Sequence, residues 1–229
     1  MLGSISYFTI FFLLACSPRE YVYDVASVTG QVIIDGRADE EEWEAATLLT
    51  DFSYPWKDIT PPKTTFKAIH DEDYLYFFYY AEDEDIRLKQ SGDEEMDAVA
   101  SDRIEIFIKG AEDSQPYYSF EMDPQGRVFD SKGEFGKYID KEFDYPMEGL
   151  AFKGDISNGF YTVEGSIRLS TLREFNLLAD DGVVMIGLYR GEYLLEEKEE
   201  KTYWISWVIP DSETPNFHIP SSFGKFRLQ

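Results

Sequence analysis

Apolar and polar residues alternate in short runs along most of the chain, and the runs are broken by turn residues rather than spaced at helical period. FKAIHDEDYLYFFYYAED holds two β-rich runs, residues 66–70 and 74–81, on either side of Asp71, Glu72 and Asp73, which is hairpin chemistry. YSFEMDPQGRVFD repeats the arrangement, with Asp123, Pro124, Gln125 and Gly126 in the order a type I turn favours. FKGDISNGFYTVEGSI does so again around Ser157, Asn158 and Gly159. Further strands are expected at residues 31–34, 103–109, 183–190, 203–208 and 225–228. About ten strands at hairpin spacing predict an all-β fold, an antiparallel β-sandwich. Helix signals are confined to one or two short segments. Residues 39–46 are acidic at their start with Trp43 turned inward, and LSTLREFNL offers Ser170 as a cap.

Length and charge narrow the choice of function. The 229 residues suffice for one domain with a sizeable core, and 16 Tyr with 18 Phe suit a sheet-rich protein. The formal net charge of −24 repels polyanions, so DNA, RNA and sulfated glycans are poor partners, while neutral ligands and cations remain. The charge-rich tracts 83–97 and 196–201 read as solvated loops.

The opening MLGSISYFTIFFLLACSPRE has the length of a signal h-region and ends in Leu13, Leu14, Ala15 and Cys16, although no Lys or Arg precedes the apolar run. It is similar to the leader of bacterial lipoproteins. That resemblance implies a signal peptide over residues 1–15, lipidation of Cys16, a tether over 16–30 and a folded domain over 31–229. It also implies a place in the bacterial cell envelope, as an outer-membrane or periplasmic lipoprotein. Cys16 is the only cysteine, so no disulfide forms within one chain.

Five segments, taken in order, carry a second resemblance: IIDGRADEEEW, HDEDYLYFFYYAEDEDI, SDRIEIFI, NGFYTVEGSI and WISWVIPDSETPNFHIPSSFGKFRL. Together they resemble the family 9 carbohydrate-binding module, from about residue 32 to residue 228, and share part of their pattern with DOMON-type sandwiches, some of which bind haem. The resemblance implies a β-sandwich that binds a neutral oligo- or polysaccharide. In that family two aromatic rings grip the sugar, one just before the strand matching 103–109 and one in the loop before the last strand. Phe217, between Pro215 and Pro220, falls on the second position and is expected to face outward as half of a clamp. The first position falls at Val99 or a neighbour, and no aromatic residue stands between Ile86 and Ile104. Trp56, in DFSYPWKDITPP, is the candidate replacement.

Alternation along residues 103–109 puts Glu105 opposite the face of Ile104, Ile106 and Ile108, and the resemblance places a sugar-binding carboxylate at Glu105. Glu121 and Asp123 stand where the family tends to offer Arg and Asn, and carboxylates accept hydrogen bonds from vicinal hydroxyls. His218, beside Phe217, completes the sugar-binding candidates.

The resemblance also implies structural calcium, for which Asp35, Asp39, Asp83 and Asp85 are the candidates, without EF-hand spacing. No nucleophile elbow, Walker loop, zinc signature or Ser-His-Asp arrangement is present. His70 reads as a strand-end residue. Met96, Met122, Met147, Met185 and the two histidines are the available haem ligands, with no attachment motif. Three readings stand: a non-catalytic glycan-binding lipoprotein supporting polysaccharide breakdown or uptake beside a degrading enzyme; a glycoside hydrolase or accessory subunit drawing on Glu105, Glu121 and Glu164; and a structural domain without ligand. The first requires the Trp56 loop, Glu105 and Phe217 to share one concave patch.

Overall fold

Twelve strands and two short helices build the computed structural model, which describes residues 19–229 except 112, 114, 115, 197 and 198. The leader and Cys16 lie outside the described residues. The strands are β1 (Val22–Ser27), β2 (Thr64–His70), β3 (Tyr74–Glu82), β4 (Arg103–Lys109), β5 (Tyr117–Met122), β6 (Val128–Glu134), β7 (Tyr138–Asp140), β8 (Leu150–Ser157), β9 (Phe160–Arg168), β10 (Val183–Glu196), β11 (Glu199–Ser206) and β12 (Gly224–Leu228). The helices are α1 (Glu94–Val99) and α2 (Leu169–Glu174), with single 3-10 turns at Glu41–Ala45, Met147–Gly149 and Pro220–Ser222.

The strands form two layers joined through β1. One runs β7-β6-β5-β4-β10-β12-β1, with β11 paired to the outer half of β10, and the other runs β1-β2-β3-β9-β8. The expected sandwich is therefore present. Two features differ from the expectation. The span 22–27, read as tether, is a strand whose Tyr23 and Val25 point into the core, and β1 runs parallel to both β2 and β12. Alternation marks a strand but says nothing of the direction of its neighbours. Residues 31–34, expected as a strand, carry no regular structure.

Phe66, Phe77, Tyr79 and Tyr161 of one layer meet Ile104, Ile106, Ile108, Leu188 and Phe226 of the other in the main core. Cross-strand partners share a face of a sheet, so the opposite face of β4 carries Arg103, Glu105 and Phe107. Their partners there are Glu121 on β5 and Gly191, Tyr189 and Gly187 on β10. An outer face would ordinarily be wet. Here every residue of β4 is buried, because the segment between β11 and β12 folds back across it.

The tract 83–97 is not all loop: its end forms α1, with the Asp93 carboxylate accepting from Met96 N as its cap. Ser170 does not cap α2, whose N-cap is Arg168 with no side-chain bond. Of the tract 196–201, Glu196, Glu199, Glu200 and Lys201 pair between β10 and β11, which run longer than expected. Among the described residues no helix is long and apolar enough to cross a membrane.

Candidate functional site

The closing loop is held to the sheet by a small polar network. The Tyr189 hydroxyl donates to Ser222 O at 2.8 Å, and Ser222 Oγ donates to Phe217 O at 2.6 Å. Tyr189 and Phe217 stack with centroids 4.0 Å apart and planes 13° apart. Gly187 makes this arrangement possible: a Cβ there would lie 2.0 Å from the Tyr189 hydroxyl oxygen.

A second loop meets the first. Ser53 and Ser206 exchange two backbone hydrogen bonds of 2.9 Å, and Trp56 Nε1 donates to Ser212 O at 2.8 Å. Trp56 consequently packs on Phe217, with centroids 5.3 Å apart and planes tilted by 42°. The two loops, the end of α1 and the outer face of β4, β5 and β11 enclose a hollow of about 230 Å³. Trp56, Trp204 and Phe217 form one side; Val99, Arg103, Glu105 and Glu121 form the floor; Asn216 and His218 complete the rim.

The floor is charged and largely dry. Arg103 Nε donates to Glu121 Oε2 at 2.7 Å, and its Nη2 lies 2.8 Å from Glu105 Oε1. Glu105 and Glu121 are direct cross-strand partners, so the guanidinium separates two carboxylates that would otherwise repel. Gly191 leaves the space it needs, since a Cβ there would sit 2.7 Å from Arg103 Nη1. Glu105 is 3% exposed, and Arg103 is its ion-pair partner there. Burial pushes its carboxyl above the usual range and Glu121 adds to this, while Arg103 opposes it. Burial lowers the His218 imidazole to about 4, with help from Lys141, so His218 is neutral; its Nδ1 lies 2.7 Å from the Tyr117 hydroxyl.

Residues 34–229 match the family described as "Carbohydrate family 9 binding domain-like". The chain belongs to that family. Among solved structures, this family 9 domain is similar to the "putative carbohydrate-binding protein" of Bacteroides uniformis, with TM-score 0.70, 18% identity and coverage of 92% of this chain and 100% of the other. It is also similar to a family 9 module from Caldicellulosiruptor kristjanssonii, solved in complex with glucose (TM-score 0.56, 17% identity, 91% and 95% coverage). A module from the same organism in complex with cellotriose gives TM-score 0.56 at 16% identity, with 92% and 94% coverage. No curated protein matches the chain.

The family 9 domain thus brings Trp56, Glu105, Glu121, Phe217 and His218 to one hollow, with Val99 at its floor as the alignment of landmarks implied. Three expectations change. Phe217 is 5% exposed and lies under the loop against Tyr189, so it supports the wall instead of projecting from it. A sugar held between two rings needs roughly 7 Å, two van der Waals contacts of about 3.5–4 Å; Trp56 and Phe217 touch, so they form one continuous wall and not a clamp. Asp123 is fully buried outside the hollow, where its carboxylate accepts from Gln125 N, Arg127 N and Arg127 Nε and fixes the β5–β6 turn.

Three of the four candidate calcium ligands have partners within the protein. Asp83 is buried 3.4 Å from Arg190 Nη2, Asp85 accepts from Arg87, and Asp35 accepts from Arg37 N. Among the described residues no three metal-type ligands gather. Glu164, counted for hydrolysis, accepts from Asp35 N and Gly36 N on the other layer and does not line the hollow. His70 ends β2, as expected.

Trp204 is the site residue that sequence reasoning missed. It is half-buried on β11, with Gly191 as its cross-strand partner, and lines the hollow beside Trp56. The signal was available in WISW. Period-2 alternation puts Ile205 and Trp207 on the core side and Trp204 with Ser206 on the other, and Trp207 is indeed buried in the core.

Proposed function

We propose that this family 9 domain binds neutral oligosaccharides, without catalysis, in the hollow between the Trp56 loop and the closing loop. The observation that carries the reading is a single cavity in which the aromatic side chains of Trp56 and Trp204 stand beside the carboxyl groups of Glu105 and Glu121. Pyranose C–H groups pack on the rings, and hydroxyls donate to Glu105 and Glu121. A volume of about 230 Å³ suits one sugar ring and part of the next. Glucose and cellotriose in the related modules support a sugar of this size.

A hydrolase reading is disfavoured: Glu105 and Glu121 both turn to Arg103, which leaves no bond-sized gap flanked by two free carboxyls. We read the chain as a lipoprotein tethered through Cys16 to the cell envelope, where it holds glycans for breakdown or uptake. Metabolic labelling with a fatty acid, lost in Cys16→Ala, tests the tether. Calorimetric titration with neutral mono- to trisaccharides tests the binding. Saturable binding that Trp204→Ala weakens at least tenfold is expected, and no binding to any member of a broad neutral panel overturns the reading.

A further inference from the structure

The charged groups on the floor of the hollow are turned to one another, since Arg103 faces Glu121 through Nε and Glu105 through Nη2. The rim is different. His218 lines the hollow beside Phe217, and its backbone N–H donates to Asn216 Oδ1 at 2.9 Å. Its imidazole packs on Phe107, with centroids 5.1 Å apart, and its Nδ1 meets the Tyr117 hydroxyl. Nε2 has no hydrogen-bond partner among the described residues. Tyr117 is itself fixed in place. Its ring stacks on Phe107 and on Phe135, with planes 18° and 19° from theirs. Its cross-strand partner Gly133 makes room, since a Cβ there would lie 2.2 Å from the Tyr117 hydroxyl oxygen.

The chemistry of the pair decides which atom carries the hydrogen. Burial keeps the His218 imidazole neutral, so one ring nitrogen carries a hydrogen and the other is a bare acceptor. Burial also pushes the Tyr117 phenol up to about 12, so its O–H is intact, and among the described residues that O–H has no acceptor other than Nδ1. Tyr117 is buried, and a buried hydroxyl without an acceptor is costly. The phenol therefore donates, and the hydrogen of the imidazole sits on Nε2. We propose that Tyr117 is a positioning residue for sugar binding: it fixes His218 as the Nε2–H tautomer, and His218 donates from Nε2 to an oxygen of the bound sugar. This rests on the sugar-binding reading above and assigns the rim its part in it. A hydroxyl that accepts from His218 keeps its own O–H to donate onward, so a committed donor at the rim suits an acidic floor.

Long-range 1H–15N correlation spectra of the folded domain at pH 7, without ligand, read the tautomer directly. His218 is expected to show a bare Nδ1 and a protonated Nε2. A protonated Nδ1, or a signal averaged between the two forms, overturns the proposal whatever sugar binds. Calorimetric titration with the neutral panel above, glucose and cellotriose included, then tests the donor. For a sugar that binds, His218→Phe keeps a ring against Phe107 and removes the N–H, and it is expected to weaken binding about fivefold, the worth of one neutral hydrogen bond. Tyr117→Phe keeps the stacked ring and removes only the hydroxyl. His218 should then show a mixture of tautomers, with affinity falling by the factor by which the Nε2–H form is depleted. A variant that merely loosened the loop would lose affinity with the tautomer unchanged. Melting curves confirm that each variant is folded, and should one fail to fold, the wild-type spectrum still decides. Wild-type affinity in His218→Phe, or a pure Nε2–H signature in Tyr117→Phe, overturns the proposal and leaves sugar binding standing. A panel in which no member binds overturns both.

Discussion

Arg103 holds apart two buried carboxylates, and its removal is the sharpest perturbation of the floor. In Arg103→Met the aliphatic part of the side chain is kept and the charge is lost, so Glu105 and Glu121 face each other across β4 and β5 with nothing between them. Breaking a buried pair by deleting one partner costs about 3–5 kcal/mol. A Coulomb estimate for unit charges about 4 Å apart at an effective dielectric of about 20 gives roughly 4 kcal/mol, in the same range. For a domain of this size each kcal/mol lowers Tm by about 2–4 °C, so the variant should melt roughly 6–20 °C below wild type. The pH dependence has a defined sign. Burial raises the Glu105 carboxyl, and Arg103 holds that rise in check. A carboxyl raised in the folded state stabilises fully below its unfolded value of about 4.3 and ceases to do so as pH climbs through the folded value. Losing Arg103 raises Glu105 further, so the deficit of the variant widens from pH 4.5 towards pH 8. Urea denaturation of both proteins at pH 5 and pH 8 measures this. A deficit below about 1 kcal/mol at pH 8, within the range of a solvent-exposed pair, or one equal at both pH values, would refute the buried-triad argument.

Three further outcomes follow from the site. Gly187→Ala drives a Cβ into the Tyr189 hydroxyl, so a loss of about 1–3 kcal/mol is expected from overpacking; because Tyr189 backs Phe217, sugar affinity falls with it, and intact affinity would count against the support role. The His218 imidazole, lowered to about 4 by burial, should show no titration in NMR between pH 8 and pH 5.5; its contribution to stability is present above the unfolded value near 6.5 and is lost as pH falls through 4. Ser222→Ala removes the hydroxyl that bonds Phe217 O and Ile219 O, and about 1–2 kcal/mol of stability should go with it, read from the shift in the urea midpoint.

The hairpins, the buried isoleucine face of β4 and the turn at Asp123 were legible because period 2 and turn chemistry are local. The β1 strand was not, since VYDVAS falls inside the presumed tether and gains its hydrogen bonds from β2 and from β12, the latter about two hundred residues away. Glu105, Val99 and the closing loop could be placed by ordered landmarks. That the Trp56 loop converges on them depends on the Ser53–Ser206 bridge and the Trp56–Ser212 bond, neither of which leaves a trace in the sequence. The inward turn of Phe217 had the same origin: its partner Tyr189 is exposed to the loop because Gly187 lacks a side chain. Asp123 was misplaced for a different reason, as a buried aspartate beginning a turn looks the same in sequence whether it serves a ligand or its own backbone.

The four tryptophans allow the central claim to be tested in one experiment. Trp56 and Trp204 line the hollow, while Trp43 and Trp207 are buried elsewhere. A titration of the 15N-labelled domain with a bound sugar, followed at the four indole N–H resonances, should shift Trp56 and Trp204 in step and leave Trp43 and Trp207 in place. Saturable binding with Trp56 and Trp204 unmoved would put the sugar on another surface and contradict the account.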